Sequence, residues 1–138
     1  MVRTHHDVGV MTVDDQAAFR SAARAVVQAT RGFRTLAEAA SASEALAALE
    51  RVTPQLVLMD VRMPGGDGVE ATRRLLARRP RTVVILVSSG APDQLPADAE
   101  TCGAAAVLAK QDLRPSKLME LWRRHRPDSS PRGRSASP

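Results

Sequence analysis

The chain has 138 residues, 43% of them apolar, which gives room for one domain of ordinary size, excludes two, and excludes a wholly disordered polymer. The lone cysteine, Cys102, rules out an internal disulfide. No apolar run approaches the ~18 residues of a membrane span and no charged-then-apolar leader opens the chain, so a soluble cytoplasmic protein is expected. The net charge of +5 hints at nucleic acid, but residues 123–138 hold five arginines (123, 124, 126, 132 and 134) against Asp128, which accounts for +4 of it.

Two kinds of segment alternate along the chain. Residues 1–6, with His5-His6, form an N-terminal extension. Val8–Val13 is a short apolar run that reads as a buried strand and ends in Asp14-Asp15. Ala17–Thr30 places Phe19, Ala22, Ala23, Val26 and Val27 at helical spacing, with Gly32 as its stop. Phe33–Ala37 is a weaker strand. Ser43 is expected to cap the next helix, whose stripe is Ala45, Leu46, Leu49 and Val52, and Pro54 ends it. Gln55–Asp60 is a second buried strand, again ending in an acid, and Met63–Gly68 is dense in turn chemistry. Val69–Arg79 is helical with Val69, Thr72, Leu75 and Leu76 inward.

Thr82–Val87 is the most strand-like segment and runs into Ser88-Ser89-Gly90. Pro92 and Pro96 restrict Ala91–Cys102 to a short or irregular helix. Ala105–Ala109 is a last strand, followed by Lys110. Pro115 then opens a helix to about Arg126, with Leu118, Leu121 and Trp122 on its apolar side. The folded domain is therefore expected over residues 7–126. Residues 127–138, rich in Pro, Ser and Arg, offer no apolar stripe and are expected to be a disordered basic tail, able to touch acidic partners or nucleic acid by charge alone. Five strand–helix units in alternation make an α/β fold, a doubly wound five-stranded parallel sheet with helices on both faces.

The strand ends carry the chemistry. In a parallel sheet the carboxyl ends share one edge, which brings Asp14, Asp15, Asp60, Ser88 and Lys110 to one crevice. Crowded carboxylates repel unless a cation sits among them, and Mg2+ suits hard oxygen ligands. A carboxylate beside that ion, with an ammonium and a hydroxyl reaching in, is equipped to attack phosphorus and hold the acyl phosphate. Lys110 is one of only two lysines among twenty basic residues. Duller readings exist for each piece: Asp14-Asp15 as a helix cap, Ser88-Ser89-Gly90 as a turn, Cys102 as a small buried hydrophobe.

Taken together, Asp14-Asp15, the run from Asp60 through Val61-Arg62-Met63-Pro64-Gly65-Gly66-Asp67 to Gly68, Ser88-Ser89 and Lys110 resemble the receiver domain of two-component response regulators, with wording close to regulators of the LuxR type. The resemblance spans roughly residues 7–126. It implies a flavodoxin-like sheet of order 2-1-3-4-5 and a single-domain response regulator that is not an enzyme. It further implies that Asp60 accepts a phosphoryl group, that Asp15, Asp60 and the Arg62 backbone carbonyl bind Mg2+ with Asp14 acting through water, and that Lys110 and Ser88 contact the phosphoryl group. The implied partners are a sensor histidine kinase or phosphotransfer protein and an unknown downstream protein, with a homodimer among the allowed outcomes and no DNA-binding domain.

One departure is plain: the family has an aromatic residue three positions before the lysine, where this chain has Val107. That substitution favours the alternative of a receiver-like interaction module working without phosphorylation. A phosphatase using Asp60 would want an acid two residues on, and finds Arg62 there.

Overall fold

Runs of β-branched and aliphatic residues build a parallel sheet because both of its faces are covered and each strand can be apolar throughout. In the computed structural model, which describes residues 7–63, 66–90 and 95–127, these strands are β1 (Val8–Val13), β2 (Phe33–Ala39), β3 (Leu56–Asp60), β4 (Val83–Ser88) and β5 (Ala106–Ala109). All pairings within this sheet are parallel and the order is β2-β1-β3-β4-β5, as the resemblance implied; Arg62–Met63 and Gly66–Asp67 form a separate antiparallel pair. The helices are α1 (Ala17–Ala29), α2 (Ala42–Ala48), α3 (Gly68–Arg78) and α4 (Pro115–His125).

Side-chain alternation sorts the core into two layers. Met11, Val13, Val57, Met59, Val84 and Leu86 face α2 and α3. Val10, Leu56, Leu58, Ile85 and Val87 face α1 and α4, where Val27, Leu118 and Leu121 meet them. The expected doubly wound α/β architecture is therefore present. Among the described residues no helix is long and apolar enough to cross a membrane.

The elements differ from expectation in three places. Ser41, not Ser43, caps α2: its backbone is extended, its Oγ accepts from the Glu44 amide at 3.1 Å, and the Glu44 carboxylate accepts from the Ala40 amide at 2.8 Å. A serine three residues before a glutamate satisfies two otherwise orphaned donors together, which Ser43 cannot do. The same helix ends at Ala48, so Val52 packs from the following turn rather than from the helix stripe. Finally, the described part of the segment after β4, residues 95–105, forms turns without a helix. Ala99 and Cys102 nevertheless bury against the α2–α3 layer, Cys102 as the small hydrophobe expected. The N-terminal extension with its two histidines, Pro64, Gly65, residues 91–94 and the tail beyond Pro127 lie outside the described residues.

Candidate functional site at the carboxyl edge of the sheet

Register brings the strand ends level. Val13 pairs with Met59, Asp60 with Val87 and Ser88 with Ala109, so the residues that follow β1, β3, β4 and β5 open onto one edge. Asp15, Asp60, Ser88 and Lys110 line a single cleft of about 360 Å3, with Arg62 and Gly90 on its rim. Asp14 lies beneath it, fully buried.

Carboxylate oxygens of Asp14, Asp15 and Asp60 all lie within 4.8 Å of one another. The Lys110 ammonium sits 2.6 Å from Asp14 Oδ2 and 3.7 Å from Asp60 Oδ2. Asp14 Oδ1 accepts from the Gln16 amide at 2.8 Å, whereas Asp14 Oδ2 has no directed hydrogen bond and meets only the charge of the lysine. Asp60 Oδ1 accepts a long bond from the Arg62 amide, at 3.3 Å. Burial foremost, and then the charge of Asp14, hold the Asp60 carboxyl above the usual carboxylate range. The Arg62 amide and Lys110 oppose that shift without cancelling it.

This donor set fits a divalent cation. The ligands are hard oxygens, and one lysine is too little positive charge for three carboxylates. The helix-cap reading of the acidic pair does not hold, because the N-cap of α1 is Gln16 and no side chain caps that helix. Ser88 does form a turn, its Oγ accepting from the Gly90 amide at 3.1 Å, and it also lines the cleft.

Sequence reasoning missed three supporting residues. Gln16 Oε1 lies 3.4 Å from Lys110 Nζ, and the Phe19 ring lies under that ammonium at 4.7 Å from its centroid. Both follow the acidic pair on the first turn of α1, three residues apart, and that spacing was the available signal. Gly68 is the third. Its amide donates to the Val61 carbonyl at 2.9 Å, and a Cβ there would stand 2.0 Å from the Asp60 carbonyl oxygen. Only glycine lets α3 start against the backbone that carries Asp60.

The comparisons agree with this geometry. A family model described as the response regulator receiver domain matches residues 10–123. The response regulator GacA of Pseudomonas protegens is 35% identical over 103 residues, 75% of this chain and 48% of that protein. The DNA-binding transcriptional activator DevR/DosR of Mycobacterium tuberculosis is 34% identical over 116 residues, 84% of this chain and 52% of that protein. The chain thus spans about half the length of these curated relatives. Among solved structures, a LuxR-family two-component response regulator from an Aurantimonas strain superimposes with a TM-score of 0.73 at 29% identity, covering 83% of this chain and 81% of that one. A response regulator receiver protein from Pseudomonas putida gives 0.73 at 28%, covering 86% and 97%.

Proposed function

This chain belongs to the response regulator receiver domain family, and from that premise we propose that Asp60 accepts a phosphoryl group from the phosphohistidine of a sensor kinase or phosphotransfer protein. Domains of this family are phosphoacceptor signalling modules rather than enzymes. The observation that carries the proposal is the packing of three carboxylates within 4.8 Å, with Lys110 against Asp14 and Asp60, where Asp15 and Asp60 line a cleft and Asp14 is buried behind them.

In this reading an Asp60 carboxylate oxygen attacks phosphorus, the O–P bond forms as the N–P bond of the donor breaks, and the departing imidazole keeps its electron pair and takes up a proton. Asp14, Asp15, Asp60 and the Arg62 backbone carbonyl would hold Mg2+, which when bound neutralises negative charge on the carboxylates and the incoming phosphoryl oxygens. Lys110 already lies within reach of Asp60 and supplies a second positive charge to the transferred group. The Ser88 hydroxyl lines the same cleft; its oxygen accepts from the Gly90 amide, which leaves its proton free to donate a hydrogen bond to that group.

Intact-protein mass after incubation with acetyl phosphate tests the assignment. A Mg2+-dependent gain of one phosphoryl group, absent in Asp60→Asn, is expected; undiminished labelling of that variant would remove Asp60 from the role. The output is regulated binding of a downstream protein or onward transfer in a relay. Val107, 37% exposed and without an aromatic ring, favours the second reading, an interaction module independent of phosphorylation. A folded, Mg2+-binding protein that takes up no phosphoryl group would decide for it.

A further inference from the structure

A second cavity, of about 640 Å3, opens at the other end of the sheet, where β1, β3 and β4 begin. That volume lies in the range of small-molecule sites, roughly 300–1,000 Å3. Its floor and walls are apolar (Val8, Pro54, Pro80 and the Trp122 indole), and its cations are Arg78, Arg79, Arg81 and Arg126. None of these four guanidiniums has a carboxylate partner among the described residues. Arg78 and Arg79 bond only to the backbone carbonyls of Leu46, Leu49 and Arg78, and Arg79 Nε is buried with no hydrogen-bond acceptor at all. Several arginines elsewhere do find acids, as in Arg24–Glu38, Arg73–Asp98 and Arg124–Glu120. Asp7, the acid on the cavity wall, turns toward Arg34 at 4.0 Å.

The cavity is also preformed. Gln55 accepts from the Gly9 amide at 2.7 Å and donates to the Asp7 carbonyl at 3.1 Å, and the buried Thr82 hydroxyl donates to the Pro54 carbonyl at 2.9 Å. Trp122 is braced edge-on against Phe33, with ring centroids 6.5 Å apart at 82°.

A hollow with apolar walls, an indole among them, and four guanidiniums without carboxylate partners around it matches a ligand that is flat and aromatic at one end and multiply anionic at the other. The geometry points to a nucleoside polyphosphate site at this amino edge, remote from the carboxylate cluster.

The test uses a property of the sequence: Trp122 is the chain's one tryptophan and there is no tyrosine, so intrinsic emission comes from a residue on this cavity's wall. Titration of the full chain with ATP should change that emission saturably, and should do so equally in Asp60→Asn. Arg81→Glu and Arg126→Glu, both at exposed positions, should each weaken binding about tenfold or more, while Arg74→Glu, the same charge change outside the cavity, should not. Adenosine and inorganic triphosphate should each bind at least about tenfold more weakly than ATP. Equilibrium dialysis with labelled ATP covers a silent fluorophore. The inference is overturned by no bound ATP in dialysis, by an unaffected Arg81→Glu, or by triphosphate matching ATP. It is likewise overturned if a short single-stranded oligonucleotide binds more tightly with the same dependence on Arg81, because the ligand is then nucleic acid.

Discussion

Replacing Gly68 by alanine asks whether the contact between α3 and the Asp60 backbone positions the site. The new Cβ would begin 2.0 Å from the Asp60 carbonyl oxygen and 2.9 Å from its carbon, where real contacts do not fall below 3.0 Å. The helix start and the Asp60 peptide must therefore separate by about 1 Å, and both partners are backbone, so no rotamer change relieves the contact. Overpacking of this kind costs about 1–3 kcal/mol, and the helix-propensity gain of alanine over glycine, up to ~1 kcal/mol in a helix interior, is smaller at the first helical residue. A net loss of about 2 kcal/mol corresponds to a fall in Tm of roughly 8 °C for a domain of this size. The larger effect should be chemical, since a misplacement of ~1 Å at a reacting group costs on the order of a hundredfold in rate. The assay is the initial rate of phosphoryl uptake from acetyl phosphate at saturating Mg2+, beside urea unfolding. Gly32→Ala is the control: Gly32 has φ +83, its Cβ would meet nothing within 4 Å, and its loop precedes β2 at the other end of the sheet. That variant should lose about 1–2 kcal/mol and keep its rate. Equal rates in Gly68→Ala and the wild type would refute the positioning argument.

Asp60→Asn should stabilise the metal-free protein at neutral pH. The folded Asp60 carboxyl titrates above its unfolded value, so the folded state retains a proton that the unfolded chain has lost; wild-type stability then falls as pH rises from the ordinary carboxylate range through the raised one. Urea midpoints in a chelator should show that slope in the wild type and a shallower one in the variant, with Mg2+ narrowing the gap; identical slopes would contradict the cause given. Lys110→Met removes the cation beside fully buried Asp14 and should cost about 3 kcal/mol at neutral pH, less in acid, by the same unfolding measurement. A stability unchanged at pH 7 would mean that Asp14 does not rely on the lysine. Ser41→Ala removes the α2 cap and should cost about 1 kcal/mol while leaving phosphoryl uptake unchanged, because the cap lies outside the cleft.

The legible part of this molecule was the part written in chemistry that few residue types can supply. Apolar runs ending in Asp14-Asp15, Asp60, Ser88 and Lys110 located four strand ends, and parallel pairing then forced those ends together. The cap of α2 was not legible in the same way. Ser41 and Ser43 are equivalent in composition, and the choice between them rests on the spacing to Glu44. Gln16 and Phe19 were hidden because a glutamine and a phenylalanine on a first helical turn have ordinary structural uses; their part at the site depends on where Lys110 arrives from the far end of the chain. Gly68 looked like one glycine among several in a turn, and its role depends on a backbone approach that no residue pattern encodes.

The exposure of Val107 follows from its place on β5. β5 is a four-residue edge strand bonded only to β4, and its side chains alternate: Leu108, opposite Val87, enters the α1–α4 layer, while Val107, opposite Leu86, faces the layer of α2 and α3. On that second face the described residues after β4 form turns rather than a helix, so little covers position 107 and it stays 37% exposed. An aromatic ring there would present a large apolar surface to water with no neighbour to pack against; valine presents less. Without a ring to change rotamer, a side chain that connects the carboxylate cluster to this strand is that of Lys110, the residue immediately after it, beside the backbone pairing of Ser88 with Ala109. Its ammonium is 1.1 Å closer to Asp14 than to Asp60, by the 2.6 and 3.7 Å contacts. Were Asp60 phosphorylated as proposed, the added negative charge would fall on the weaker of those contacts and strengthen the pull on the lysine.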